Sequence, residues 1–206
     1  TGPFSAEGNV LAGGVPIAFD LSAGAAGGGQ ALPVNLEFTL TEAGASITLD
    51  GRASELSAAA ELGGEIAISA SSGESLGTAL AEVLGSEAPR FPDEPFSLRT
   101  RIAASAEETA LNEMLITLGE TRTTGAVSAA YAEGVQVDVA LALNRLDLDG
   151  LLAAGDSESQ PPAVPAEGGD GPGADASDEV LALPDDFSGS FNLQVEALTY
   201  NGGVVR

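Results

Sequence analysis

Apolar and polar side chains alternate along most of this chain. The clearest run is Val34-Asn35-Leu36-Glu37-Phe38-Thr39-Leu40-Thr41, in which one face is wholly apolar and the other wholly polar. A period of two is the mark of a strand with one buried face. The same alternation sets Val15, Ile17, Phe19 and Leu21 against Asp20 and Ser22, and Ile47 and Leu49 against Thr48, Asp50 and Arg52. It sets Leu62, Gly64, Ile66 and Ile68 against Glu61, Glu65 and Ser69, and Phe96, Leu98 and Ile102 against Ser97, Arg99 and Arg101. Near the end, Phe191, Leu193 and Val195 oppose Asn192, Gln194 and Glu196. The longest run is Val135, Val137, Val139, Leu141 and Leu143. Its phase then slips at Asn144-Arg145 before Leu146 and Leu148, which predicts a bulge or a strand end there, because a one-residue slip would otherwise invert the faces.

The punctuation agrees with strands joined in sequence. Ala12-Gly13-Gly14, Glu42-Ala43-Gly44 and Ala132-Glu133-Gly134 are hairpin turns in composition and length, while Gly24 to Gln30 reads as a longer loop. One helix is predicted over about 75–84, with Leu76, Leu80, Val83 and Leu84 on one face. Ser72 or Ser75 would cap its start and Gly85 its end, and Pro89, Pro92 and Pro95 forbid its continuation. Residues 107–114 are open to a second helical turn, with a strand from about Met114. The expected fold is therefore all-β: a curved antiparallel β-sheet, an open groove or half-barrel, with one short helix. Residues 1–152 would form the main sheet region. Residues 153–179, rich in Pro, Gly and acids, lose all alternation and are expected to be a disordered insertion. Residues 180–206 would supply the final strands of the same sheet.

Charge narrows the partners. Of 206 residues, 31 are Asp or Glu and 7 are Lys or Arg, for a formal charge of -24. All of the cations are Arg. Such a chain repels phosphate backbones, so a nucleic-acid partner is excluded, and adsorption to anionic membrane surfaces through a basic patch is disfavoured. The absence of Cys removes thiol catalysis and thiolate metal sites; the absence of His removes the commonest general base. With neither His nor Lys, no Ser has an activating partner. Gly24 to Gly29 is no phosphate cradle, since no helix follows it. Asp147 and Asp149 would share a strand face and could hold Ca²⁺ or act as an acid–base pair, but a solvated face explains them equally well. Asp170, Asp175 and Asp178 match no calcium-loop spacing. Neither catalytic nor metal-binding residues, nor a cofactor, are expected. No apolar stretch reaches the length of a spanning helix.

What remains is the apolar face, which must be covered, curled or offered to a ligand. A sandwich or half-barrel with a sealed core and a continuous hydrophobic trough both satisfy the pattern. The order of features from Ser75 to Leu152 resembles the C-terminal region of the AsmA family. The order is the Leu-rich helix, a Pro-containing loop and a strand from Phe96, then Ile116-Thr117-Leu118-Gly119-Glu120-Thr121, Gly125-Ala126-Val127-Ser128, and Leu146-Asp147-Leu148-Asp149-Gly150-Leu151-Leu152. The flanking pieces, Phe4 to Ala70 and Phe187 to Val205, look like further strands of the same sheet. The resemblance implies a periplasmic β-groove, tethered to the inner membrane by a helix outside this segment, that contacts phospholipid acyl chains and serves lipid transport and outer-membrane biogenesis. Envelope proteins are the other implied partners. The groove positions are Val34, Leu36, Phe38, Leu40, Ile66, Ile68, Phe96, Leu98, Ile102, Val135, Val137, Val139, Leu141, Leu143, Phe191, Leu193 and Val195. The alternative is a structural or adhesive β-module of an envelope protein with a sealed core.

Overall fold

A computed structural model describes residues 3–25, 31–55, 57, 59–85, 91–132, 134–147, 187–200 and 203–205. Ten strands form one sheet: β1 (Phe4–Ala12), β2 (Val15–Ala23), β3 (Leu32–Leu40), β4 (Ala45–Ala53), β5 (Leu62–Ala70), β6 (Phe96–Ala104), β7 (Glu108–Leu118), β8 (Thr121–Ala130), β9 (Val135–Leu143) and β11 (Phe187–Val195). The first nine lie side by side in chain order and are antiparallel, so they form a long meander. The sheet does not close into a barrel. Both turn glycines of the first hairpin take left-handed conformations, Gly13 at φ 60 and Gly14 at φ 94, as the tight Gly-rich turn requires.

The last pairing departs from the antiparallel expectation. β11 lies beside β9 in parallel, from Phe187↔Val135 to Val195↔Leu143. Both strands then leave the sheet at the same level. The Asn144 side chain accepts from the Arg122 N–H at 2.8 Å and donates to the Glu120 carbonyl at 3.1 Å, which ends β9 where the phase slips. The chain resumes as β10 (Leu146–Asp147), which pairs in parallel with β12 (Leu198–Tyr200), and β13 (Gly203–Val205) returns antiparallel to β12. Thus the final residues form a small second sheet rather than more strands of the first. The expected insertion at 153–179 lies outside the described residues.

The helix is α1 (Gly73–Leu84), two residues longer at its start than its apolar face suggested. The Ser72 hydroxyl accepts from the Ser75 N–H at 3.3 Å, and Gly85, at φ 64, closes the end by donating its N–H to the Ala81 carbonyl. It crosses one end of the strands. Gly73 meets Pro92, Phe91 and Leu118 at one end, and Gly13 in the β1–β2 turn meets the Glu82 carbonyl at the other. Beneath it lies the buried cluster: Val15, Leu40, Ala43, Ala45 and Ala70 with Leu76 and Ala79. The small alanines let helix and sheet approach closely.

β7 begins at Glu108, where a helical turn was open. Its apolar residues Leu111 and Met114 are three apart, which mimics a helix period. A bulge explains the spacing: Leu111 pairs with Val127 and Met114 with Gly125, so β7 holds one extra residue, and Glu113 sits at φ 52. Opposite the bulge, Thr100 is 2% exposed and donates its hydroxyl to the Asn112 carbonyl at 3.0 Å. Arg101 braces the other side through an ion pair with Glu113. Replacing Thr100 with Val keeps the shape and removes the donor. The variant should lose about 0.5–1.5 kcal/mol of stability in urea unfolding, the net contribution of a hydrogen bond to a part-buried carbonyl.

Strand glycines reveal which way the sheet bends. A Cβ on Gly64 would lie 2.5 Å from the Asp50 carbonyl oxygen, and one on Gly51 would lie 2.8 Å from the Gly63 oxygen. At Gly125 and Gly189 it would strike the carbonyls of Ala140 and Val137. All four share a face with the apolar side chains, because they pair directly with such positions or with one another. Neighbouring backbone therefore folds toward that side, and the apolar face is the concave one. Gly63, on the opposite face, has nothing nearer than 4.0 Å. Gly64→Ala should cost about 1–3 kcal/mol by overpacking, while Gly63→Ala should stay within about 0.5 kcal/mol; paired urea titrations check the contrast.

Candidate functional site: a concave apolar face

Residues paired directly across strands share a face, so the register assembles the apolar side chains into rows that run across the sheet. One row is Phe19, Phe38, Ile47, Ile68, Leu98, Ile116, Thr123, Leu143 and Val195. Another is Ala23, Val34, Gly51, Gly64, Ile102, Leu111, Val127, Val139 and Phe191. Between them run Leu21, Leu36, Leu49, Ile66 and Thr100, continuing on the far side of the bulge as Gly125, Leu141 and Leu193. The row under the helix holds Ile17, Leu40, Ala45, Ala70, Phe96 and Leu118. All seventeen positions picked from the alternation thus fall on one face, with Val135 and Val137 at the end away from the helix.

Coverage of this face is uneven. Leu40 is buried beneath the helix, whereas Phe191 is 67% exposed and Leu193 42% at the β11 edge. The other fourteen are half-buried, screened by their neighbours in the rows without being sealed. Few large side chains are fully buried among the described residues, and most of the buried ones sit at the helix end. A two-layer core would bury these rows. Among the described residues the helix closes one rim, and the rest of the concave surface is only half-buried.

Several members of the face escape a reading of local alternation. Phe19, Leu21, Ile47 and Leu49 were visible as apolar faces but gained their place only from register. Leu111 and Val127 were hidden: Leu111 by the bulge, and Val127 because Gly125-Ala126-Val127-Ser128-Ala129-Ala130 has almost no polar contrast.

The opposite face carries the charge. Arg99 pairs with Glu65 at 3.4 Å, and Glu7, Asp20 and Glu37 stand directly across from one another on β1, β2 and β3. No grouping of carboxylates among the described residues suits a metal ion. A depression of about 480 Å³ opens at the strand ends away from the helix, lined by Arg52, Glu61 and Glu108 beside Leu62 and Ala104. It joins polar rim to apolar face, and the two hydroxyls in its lining, Ser54 and Ser105, accept from the backbone N–H groups of Glu61 and Glu108. Asp147 lies in β10, while Asp149, Asp170, Asp175 and Asp178 fall outside the described residues.

One carboxylate ties the parallel strands together. Ser190 donates to Asp138 Oδ1 at 2.6 Å, and Gln136 donates to Oδ2 at 3.1 Å. These hydrogen bonds, the Ser190 bond first, hold the Asp138 pKa below its ordinary value. A lowered folded-state pKa means that the contact supports the fold above the ordinary carboxylate range and is lost as pH falls through the lowered value. Ser190→Ala should therefore raise the Asp138 pKa toward the usual Asp range, read by carboxyl-carbon NMR titration.

No protein-family model, curated protein or solved structure matches the chain. No helix among the described residues is long and apolar enough to cross a membrane.

Proposed function

We propose that this chain is a lipid-carrying segment of an AsmA-like envelope protein, and that its concave face shields phospholipid acyl chains from water during transfer between the inner and outer membranes. One observation carries the reading: apolar rows, extended to β1 by Phe4 and Val10, run unbroken by any charge across ten strands on the concave side, and among the described residues no layer seals them beyond the helix. Ten strands at the usual spacing give a trough about 45 Å long, and nine-residue strands give it a developed width of about 30 Å. Burial gains on the order of 0.8 kcal/mol per CH₂, so one long acyl chain gains on the order of 10 kcal/mol without any directional contact. Low specificity suits a conduit, along which a chain must slide. The periplasmic setting and the inner-membrane tether come with the AsmA resemblance, and outer-membrane biogenesis is the process they would serve. The protein works by binding, with no reaction assigned to it.

The test places a charge in the trough. Val139 and Leu141 are half-buried on the concave face of β9, and Ala140 between them is exposed on the convex face. Val139→Asp or Leu141→Asp should reduce co-purified phospholipid, measured by mass spectrometry of organic extracts, at least tenfold with a strand-like circular dichroism spectrum retained. Ala140→Asp should leave it unchanged. Equal lipid content in all three variants and the parent would sink the proposal.

A further inference from the structure

The outer edge of β11 has a property no other strand of the large sheet shares. Phe187-Ser188-Gly189-Ser190-Phe191-Asn192-Leu193-Gln194-Val195 contains no Asp, Glu or Arg, whereas each of the other nine strands carries at least one. Among the described residues β9 is its only neighbour in the sheet, which leaves one side of its backbone ladder unpaired. Natural sheets blunt such edges with charges, prolines or bulges. Here none is present, and the register with β9 runs without interruption over all nine positions. The side chains beside the edge are accessible: Phe191 and Leu193 are among the most exposed large apolar residues. The carboxylate beside the strand on β9, Asp138, accepts from Ser190, and carboxylates otherwise flank the strand only beyond its ends, at Asp186 and Glu196 in sequence. Beyond residue 197 the same side is closed by β13 on β12, so the open slot is one strand long.

The structure assigns this edge to a second copy of the same chain, with β11 pairing antiparallel to its own equivalent about Phe191. The sequence suits a twofold axis there. Phe191 faces Phe191, Ser190 faces Asn192, Gly189 faces Leu193 and Ser188 faces Gln194, so within the nine strand positions apolar meets apolar, polar meets polar, and no like charges oppose. A twofold axis perpendicular to the sheet keeps both concave faces on the same side. The opposite edge does not fit as well. β1 brings Glu7 to that edge in line with Asp20 and Glu37, a row of carboxylates that repels a second acidic chain. Two chains of formal charge -24 can approach closely only where the local surface is uncharged, so association should strengthen as salt screens the rest.

Sedimentation equilibrium at low and high salt tests the assignment. The parent should form dimers, tighter at high salt. Phe191→Lys and Phe191→Glu each set like charges opposite across the axis and should each be monomeric. Since Phe191 is exposed, both should keep the parent's circular dichroism, and the parent's urea midpoint should rise with protein concentration while theirs stays constant. An equimolar mixture of the two should recover dimers, because Lys then faces Glu. A monomeric parent at every salt concentration overturns the inference. So does failure of the mixture to recover dimers, or growth of the parent into open-ended oligomers, the mark of β1-to-β11 pairing.

Discussion

Everything in this molecule rests on an unslipped hydrogen-bond register. A strand has a side-chain period of two, so a shift of one residue between any two neighbours would move half the apolar set to water. Nine successive strands keep phase across eight connections, one of which carries the helix, and the tenth keeps it across a parallel pairing. The one place where phase would fail, the extra residue in β7, is absorbed by a bulge. Thr100 and the left-handed Glu113 make that bulge a fixed feature: one donates to its Asn112 carbonyl, and the other turns the surplus residue outward to Arg101. The apolar surface is thus a consequence of backbone pairing, with side-chain packing secondary except at the helix.

The helix defines the asymmetry. Its capped ends fix it between the β1–β2 turn and the strand ends near Leu118, and Leu76 and Ala79 complete the only densely buried cluster among the described residues. The end beneath it behaves as a conventional core, with small side chains under a small lid. Away from it, no element among the described residues covers the curved sheet. The strand glycines supply that curvature, since Gly64 and Gly51 allow backbones to approach on the concave side where any Cβ would collide. A sheet whose curvature depended on bulky packing would fill its own trough. One that curves at glycines can stay open.

Much of this was legible in the sequence because its signals were local. Val34 to Leu40 and Val135 to Leu143 declare their faces, and Ser72, Leu76, Leu80 and Gly85 declare a capped helix. What was not legible is non-local. The parallel β9–β11 pairing leaves no trace in either strand, because alternation says which face a residue takes and nothing about the direction of its neighbour. The same limit hid the separate pairing of β10, β12 and β13, whose strands are too short to show a period. Leu111 and Met114 misled for a different reason: a bulge converts a spacing of two into three, which a single sequence cannot distinguish from a helical turn.

The distribution of charge completes the physical picture. An acidic chain must put its carboxylates somewhere, and the register puts them on the convex face and the rims, where Glu65 and Glu113 meet Arg99 and Arg101. On the concave rows the only polar side chains are threonines such as Thr100 and Thr123, whose hydroxyls can be satisfied by nearby backbone, as Thr100 is. Under the proposed function, a surface so cleared of charge, with its Phe side chains spread from Phe19 and Phe38 to Phe96 and Phe191, offers apolar contact along its whole length. Strong total burial with little positional preference is the condition for movement along a groove, because the same hydrophobic gain is available before and after each step.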